Sequence, residues 1–186
     1  MRKWLLKQFE WYRGLILRLK TRRGFLFYKD KDMQLYEKYV TETVDEKTGR
    51  LTKIDFHIPD DFNFGFDVVD FWGKNTPDKT ALLWVGEHHE EKTFTFSDMM
   101  RLTNKTANYF RSLGIKKGDR VMLILRRHYQ FWFSIVALHK IGAIVIPATD
   151  QLMKKDLVYR FNLAGVSAVV ISSTGSIVDE AEKAFE

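Results

Sequence analysis

Three short apolar runs separated by helical patterns constrain the fold of this chain more than any other feature. The runs are Val121 to Leu125, Ala143 to Ile146 and Ala168 to Ile171. Strands that alternate with helices pair in parallel, and the helices cross over the faces of the sheet. The stretch from Gly118 to Ile171 therefore predicts an α/β fold with a parallel βαβαβ sheet and flanking helices. The crossover helix Tyr129 to Ile141 is apolar on almost every side and is predicted to be buried.

Polar residues follow each predicted strand, where a parallel sheet binds its ligands. The first strand is followed by Arg126 and Arg127, which could meet a phosphate or could be solvated or ion-paired. The second is followed by Gln151, whose amide both donates and accepts hydrogen bonds. The third is followed by Ser172 to Ser176, which could present backbone N–H groups to an anion or simply cap the next helix through Ser176 and Asp179.

Other signals of catalysis or metal binding are weak. No Gly-x-Gly-x-x-Gly or Gly-x4-Gly-Lys-Ser/Thr sequence occurs in the chain, so the usual dinucleotide and Walker phosphate loops are missing. His88 and His89 are predicted to lie in a solvated hairpin loop, since neighbouring strand residues point to opposite faces. Asp67 and Asp70 are interpreted as helix-start and surface acids. We therefore expect no catalytic residue and no metal ligand in these residues.

The positive charge is concentrated at one end of the chain. The net charge is +6, but residues 1 to 23 contain eight Lys or Arg against the single acid Glu10, and the remaining residues carry a net charge of −1. A basic stripe with interleaved aromatic residues is absent from that remainder, so we expect no nucleic-acid partner. The chain has no Cys, which fits a reducing compartment. No apolar stretch is long enough to span a bilayer.

The basic segment is predicted to form an amphipathic helical arm, because apolar residues recur at spacings of three and four from Leu5 to Leu19. Its apolar face could lie on a membrane surface, or it could dock on the protein itself or on a second subunit. We expect a cytoplasmic protein. The mitochondrial matrix is the open alternative, because a basic and acid-poor amphipathic arm also resembles a transit peptide.

The remaining pattern predicts a helix from Lys31 to Thr43, a polar turn from Asp45 to Gly49 and another helix from Phe62 to Asn75. A β-hairpin follows, with strands Ala81 to Val85 and Thr93 to Phe96, and Ser97 is predicted to cap a helix to Leu113. We expect an arm and lead-in over 1–58 and a larger domain over 59–186. Since residues 180–186 are strong helix formers without a stop signal, we expect this domain to be incomplete.

From Phe62 to Ile171 the chain resembles the amino-terminal part of a medium-chain acyl-CoA synthetase of the AMP-forming, adenylate-forming superfamily. Motifs of the whole superfamily are Gly118-Asp119-Arg120-Val121 and Gly142-Ala143 followed by Pro147. The pattern Gln151-Leu152 with Asp156, Tyr159 and Arg160 points to the medium-chain branch. The other matching segments are Phe62 to Asp70, Thr93 to Phe96 and Lys140 to Ile141.

The resemblance implies an enzyme that joins a short- to medium-chain carboxylic acid to coenzyme A through an acyl-adenylate, using ATP and Mg²⁺. It places Gln151 at the coenzyme A site. The family's Thr-Ser-Gly-Thr-Thr-Gly-x-Pro-Lys loop does not occur in the 186 residues, so we expect the chain alone to be inactive. An acetyl- or aryl-CoA ligase and a non-catalytic interaction module remain open alternatives.

Overall fold

The computed structural model describes residues 18–21, 24–27, 35–173 and 175–185. The chain divides into two compact units, Met1–Asp60 and Asp61–Glu186. Within the described residues, no helix has the length and apolar character needed to cross a membrane.

The described residues of the first unit include two antiparallel hairpins. Strand β1 (Arg18–Thr21) pairs with β2 (Gly24–Phe27), and β3 (Val40–Val44) pairs with β4 (Leu51–Phe56) after a single 3-10 turn at Leu35–Lys38. Asp45 closes the second hairpin, because its Oδ1 accepts hydrogen bonds from the backbone N–H and the hydroxyl of Thr48 at 2.6 and 2.7 Å.

The helix predictions for this unit are corrected where the structure describes the residues. Residues 1–17 of the predicted helical arm lie outside the described residues, but Arg18 and Leu19 belong to a strand. Residues 31–34 of the second predicted helix also lie outside them, and its remainder is a 3-10 turn followed by β3. The β-branched residues of β3 favour an extended backbone, and pairing with β4 overrides the helical spacing of the sequence.

The second unit begins with a helix and a hairpin, as predicted. A π-helical segment, Phe64–Asp70, continues directly into α1 (Phe71–Asn75), and β5 (Thr80–Val85) pairs antiparallel with β6 (Glu91–Thr95). Helix α2 (Phe96–Ser112) follows immediately. Its cap is Thr95 and not Ser97, because Thr95 and Asp98 exchange side-chain-to-backbone hydrogen bonds in a capping box.

The predicted parallel sheet is confirmed. Strand β7 (Arg120–Ile124) is central, with β8 (Ile144–Pro147) on one side and β9 (Ala168–Ile171) on the other, and both neighbours run parallel to it. Helix α3 (Gln130–Ile141) connects β7 to β8, and α4 (Lys154–Ala164) connects β8 to β9. Helix α5 (Ile177–Phe185) follows β9.

The sheet lies between two helical layers, because alternate residues of β7 enter different cores. Val121 and Leu123 pack with residues of α2 and α3, including Phe110 and Leu138. On the other face, Met122 and Ile124 pack with a second set that comprises Leu152, Leu157, Ile177 and Ala181. These four side chains of β7 are fully buried, whereas that of Arg120 at the start of the strand is exposed. Helix α3 also contacts the hairpin through Phe133 and Val136, which explains its nearly continuous apolar sequence.

Candidate functional site

The carboxyl edge of the parallel sheet carries the residues that the sequence singled out. Backbone hydrogen bonds fix the segments that leave the strands: the N–H of Ala148 donates to the carbonyl of Leu123 at 2.9 Å, and that of Ser172 donates to Ile124 at 3.1 Å. The turns after β7, β8 and β9 therefore lie along one edge, the usual ligand position in parallel α/β sheets.

An ion pair joins the first two of these turns. The Nε of Arg126 lies 2.7 Å from Oδ2 of Asp150, with both side chains partly exposed. Arg126 has a φ of 42°, a left-handed conformation that is uncommon for a residue with a Cβ. An ion pair of Arg126 was one of the interpretations left open by the sequence, and the structure supports it. Its partner, Asp150, was not predicted and is the residue directly before Gln151.

Gln151 is exposed in the turn between β8 and α4. Its backbone N–H donates to the hydroxyl of Thr149 at 3.3 Å. Within the described part of the chain, its side-chain amide makes no hydrogen bond, so both its donor and its acceptor are open to solvent. The amide is therefore available to a ligand that passes over this edge, although its coenzyme A contact stays a prediction.

The turn after β7 is held by the hairpin. The indole N–H of Trp84 on β5 donates to the carbonyl of Arg127, and its ring lies 5.3 Å from that of Tyr129 in an edge-to-face contact. The ammonium of Lys92 lies 4.5 Å from the centre of the Tyr129 ring. These contacts leave the side chains of Arg127 and His128 exposed.

The segment after β9 differs from the other two. Ser172 is buried, and α5 begins at Ile177, directly after Ser176. The carboxylate of Glu180 on α5 accepts hydrogen bonds from the backbone N–H of Lys154 at 2.7 Å and from the ammonium of Lys183 at 3.1 Å, which lower the pKa of Glu180. This contact ties the start of α4, three residues beyond Gln151, to the last helix.

The His88 and His89 segment lies at the hairpin tip. Both residues are exposed, and the N–H of His88 donates to the carboxylate of Glu90 at 3.0 Å. Over the described ranges, no group of three or more His, Cys, Asp or Glu side chains is placed to hold a metal ion.

A buried polar network was missed by sequence reasoning. Asp70 is not a surface acid: it is buried, and its Oδ1 accepts a hydrogen bond from the ammonium of Lys140 at 2.6 Å. The ammonium also donates to Oδ1 of Asn104 at 2.7 Å. Asn63 donates to the carbonyls of His139 and Lys140, and accepts from the N–H of Gly65. Burial lowers the pKa of Lys140, whereas Asp70 raises it.

This combination of a parallel α/β sheet, covering helices and an exposed polar edge is the architecture of α/β proteins that bind ligands at the carboxyl ends of their strands. The family model described as "AMP-binding enzyme" matches residues 69–186, and the chain belongs to this family.

Curated relatives of this chain are acyl-coenzyme A synthetases. It is 36% identical to mitochondrial acyl-coenzyme A synthetase ACSM1 of Mus musculus, over 69% of this chain and 23% of that protein. It is 30% identical to mitochondrial ACSM5 of Homo sapiens, over 88% of this chain and 29% of that protein. The chain therefore spans less than a third of the length of these relatives.

Solved structures share the fold. An acyl-CoA synthetase from Brucella canis aligns with a TM-score of 0.60 at 24% identity, covering 66% of this chain and 22% of that one. The N-terminal domain of FACL13 from Mycobacterium tuberculosis aligns with a TM-score of 0.55 at 24% identity, covering 63% of this chain and 29% of that one. The predicted α/β fold of an adenylate-forming amino-terminal region is confirmed.

Proposed function

We propose that this chain is the amino-terminal part of an ATP-dependent, AMP-forming ligase that converts a short- to medium-chain carboxylic acid into its coenzyme A thioester through an acyl-adenylate. The observation that carries the proposal is the family match over 69–186, together with acyl-coenzyme A synthetase relatives at 30 to 36% identity. In this proposal the chain mainly supplies the parallel sheet on which the rest of the ligase builds its site.

Of the ligands that the family implies, coenzyme A is the one that the described residues could contact. Coenzyme A offers amide and hydroxyl groups that both donate and accept hydrogen bonds, and the exposed amide of Gln151 complements either. For Mg²⁺, the described edge offers no carboxylate cluster, and its Asp150 is already paired with Arg126. We therefore assign no step of the adenylation reaction to these residues.

The role of Gln151 is testable in the full-length ligase, because the proposal places it in one half-reaction only. An interaction contributes to a step only if it is made in that step. Gln151→Ala should raise the apparent KM for coenzyme A about fivefold, the effect of one neutral hydrogen bond. The rate of carboxylate-dependent pyrophosphate exchange into ATP should not change.

The matched control is Asn162→Ala, which removes an exposed amide from α4, the helix that follows the turn, at a distance from the turn itself. It should leave both half-reactions unchanged. Equal losses in thioester formation and pyrophosphate exchange for Gln151→Ala would show that Gln151 holds the turn together and does not contact coenzyme A.

Reading the coding sequence beyond Glu186 tests the proposal as a whole. A Gly/Ser/Thr-rich loop that ends in Pro-Lys, followed by carboxylate-dependent exchange activity of the encoded protein with a short or medium fatty acid, supports the ligase. A stop codon directly after Glu186 favours the interaction module instead.

We also propose a division into an arm and lead-in over 1–58 and a synthetase domain over 59–186. The mitochondrial names of the relatives favour the matrix over the cytoplasm, and the basic segment 1–23 fits import. The same segment could instead make a weak contact with a membrane surface or a second subunit. Imaging of a tagged protein with and without residues 1–23 tests the import proposal. Loss of the mitochondrial signal on deletion identifies a targeting segment, and an unchanged signal excludes it.

A further inference from the structure

We propose that the second unit binds a phosphate-bearing small molecule in a pocket at the amino ends of the parallel strands. The pocket has a volume of about 740 Å³ and lies between α2, the segment that leads into β7, and the end of α3. Pockets of about 300–1,000 Å³ are typical of small-molecule sites. It lies at the end of the sheet opposite Gln151, so the inference does not rest on the proposed ligase function.

The lining of the pocket is strongly cationic. Arg111, Lys116 and Lys117 line it with exposed side chains, and within the described residues none of the three makes an ion pair. No Asp or Glu from the described ranges lines the pocket. Outside the lining, the carboxylate of Asp119 accepts a hydrogen bond from the backbone N–H of Lys116 at 2.9 Å.

Two helix ends oppose this charge only in part. Helices α2 and α3 both end at the pocket, and each carboxyl terminus carries the equivalent of about half a negative charge. Together they offset about one of the three cations, so the pocket retains a positive potential. If the cations only neutralised the partial negative charges of the two helix ends, about one cation would suffice.

The buried Lys140 gives the pocket a preorganised donor. Its side chain is 1% exposed, and its ammonium lies 2.7 Å from Oδ1 of Asn104. An ammonium can only donate hydrogen bonds, so Asn104 must turn its oxygen towards Lys140 and its NH₂ group away from it. Since Asn104 also lines the pocket, this NH₂ group adds a fixed donor to the three cations.

A pocket lined by hydrogen-bond donors favours a ligand that is rich in hydrogen-bond acceptors. A phosphate group has three strong acceptor oxygens and pairs with Arg in bidentate geometry. The pocket also has apolar lining from Phe66, Ile115 and Ile141, which can cover the organic part of a ligand. These features favour a phosphorylated small molecule, and we use ADP as the probe.

The test is calorimetric titration of the 186-residue chain with ADP in 150 mM salt, with amide NMR shifts to locate the site. Arg111→Gln/Lys117→Gln should weaken binding at least about tenfold, because each charge-assisted hydrogen bond contributes more than a neutral one. The control Lys105→Gln/Lys155→Gln removes the same charge from exposed positions outside the pocket and should leave the affinity within about twofold. Circular dichroism verifies that each variant folds.

A third variant tests the donor. Asn104→Asp keeps an oxygen for Lys140 but replaces the outward NH₂ group with a carboxylate oxygen, so ADP binding should be lost while the helical signal is kept. The proposal is overturned if ADP does not bind, if both charge-matched pairs weaken it equally, or if an acidic peptide binds where ADP does not. It is also overturned if ADP shifts only amides at the carboxyl edge, such as those of Arg127 and Gln151.

Discussion

The buried pair of Asp70 and Lys140 offers the sharpest test of how this fold is stabilised. The variant Asp70→Asn removes the negative charge but keeps a side chain of nearly the same shape. Its oxygen can still accept a hydrogen bond from Lys140, whose ammonium now lies 2.6 Å from Asp70 and 2.7 Å from Asn104. The variant therefore isolates the loss of the counter-charge from the loss of packing.

The expected cost follows from these contacts. Removing one partner of a buried ion pair destabilises a protein by about 3–5 kcal/mol, because the other charge stays buried without compensation. Two acceptors remain near the ammonium, and the ring of Phe66 lies 5.4 Å from it in a cation–π contact. We therefore expect the lower end of the range, about 3 kcal/mol in the free energy of unfolding.

The cost should depend on pH in a defined direction. Burial already lowers the pKa of Lys140 from 10.5, and Asp70 counteracts this shift. In Asp70→Asn the pKa should fall further, so the folded state binds fewer protons than the unfolded state between the lowered pKa and 10.5. Stability rises with pH over that window. The deficit of the variant should therefore shrink as the pH rises from neutrality towards 10.5, and return as the pH falls.

Urea unfolding followed by tryptophan fluorescence measures these changes, because Trp72 lies in α1, the helix that begins directly after Asp70. The control Asp67→Asn weakens a hydrogen bond from the N–H of Asn63 and should lower the free energy of unfolding by about 1 kcal/mol. This loss should not shrink as the pH rises towards 10.5. In Asp70→Asn/Lys140→Met the loss should be smaller than the sum of the single losses. A loss below about 1 kcal/mol for Asp70→Asn, or a deficit that grows with pH, would refute the reasoning.

Three further predictions concern separate features. Thr95→Ala should lower the free energy of unfolding by about 1 kcal/mol in a urea titration, because it breaks the capping box of α2, whereas Thr106→Ala within that helix should have little effect. Gly142→Ala should cost about 1–2 kcal/mol, because φ is 72° and a Cβ would lie 3.0 Å from Cγ of Lys117; Gly142→Asn should cost less. The purified 186-residue chain should show no carboxylate-dependent exchange of pyrophosphate into ATP, because it contains no sequence of the family's phosphate-loop type, and detectable exchange would contradict this.

The elements that sequence reasoning predicted are those specified by nearby residues. The apolar runs predicted β7, β8 and β9 with errors of at most one residue at the strand ends, because continuous burial needs continuous apolar sequence. The polar turn from Asp45 to Gly49 was also predicted. The two strands that flank this turn were not predicted. Leu35, Tyr39 and Val40 have a helical spacing, and the extended backbone of β3 becomes evident only from its pairing with β4.

The missed contacts join residues that are distant in sequence. Asp70 and Lys140 are separated by 70 positions, and an acid three residues after Asp67 has the same local pattern whether it is buried or solvated. The same limit applies at the candidate site. The strand-end position of Gln151 was predictable from the order of the elements, whereas the ion pair of Arg126 with Asp150 depends on how two turns approach each other.

Lys140 links two properties of the second unit that can be measured separately. Its ammonium contacts Asp70 for stability and Asn104 for the orientation of an amide at the pocket. Asp70→Asn leaves the Asn104 oxygen on the ammonium, so it should reduce stability while the donor stays in place. Asn104→Asp keeps an acceptor for the ammonium and adds a second carboxylate beside it, so it should spare stability while it abolishes ADP binding. If the two variants lose both properties in parallel, the network acts as one structural unit and the pocket has no ligand role of its own.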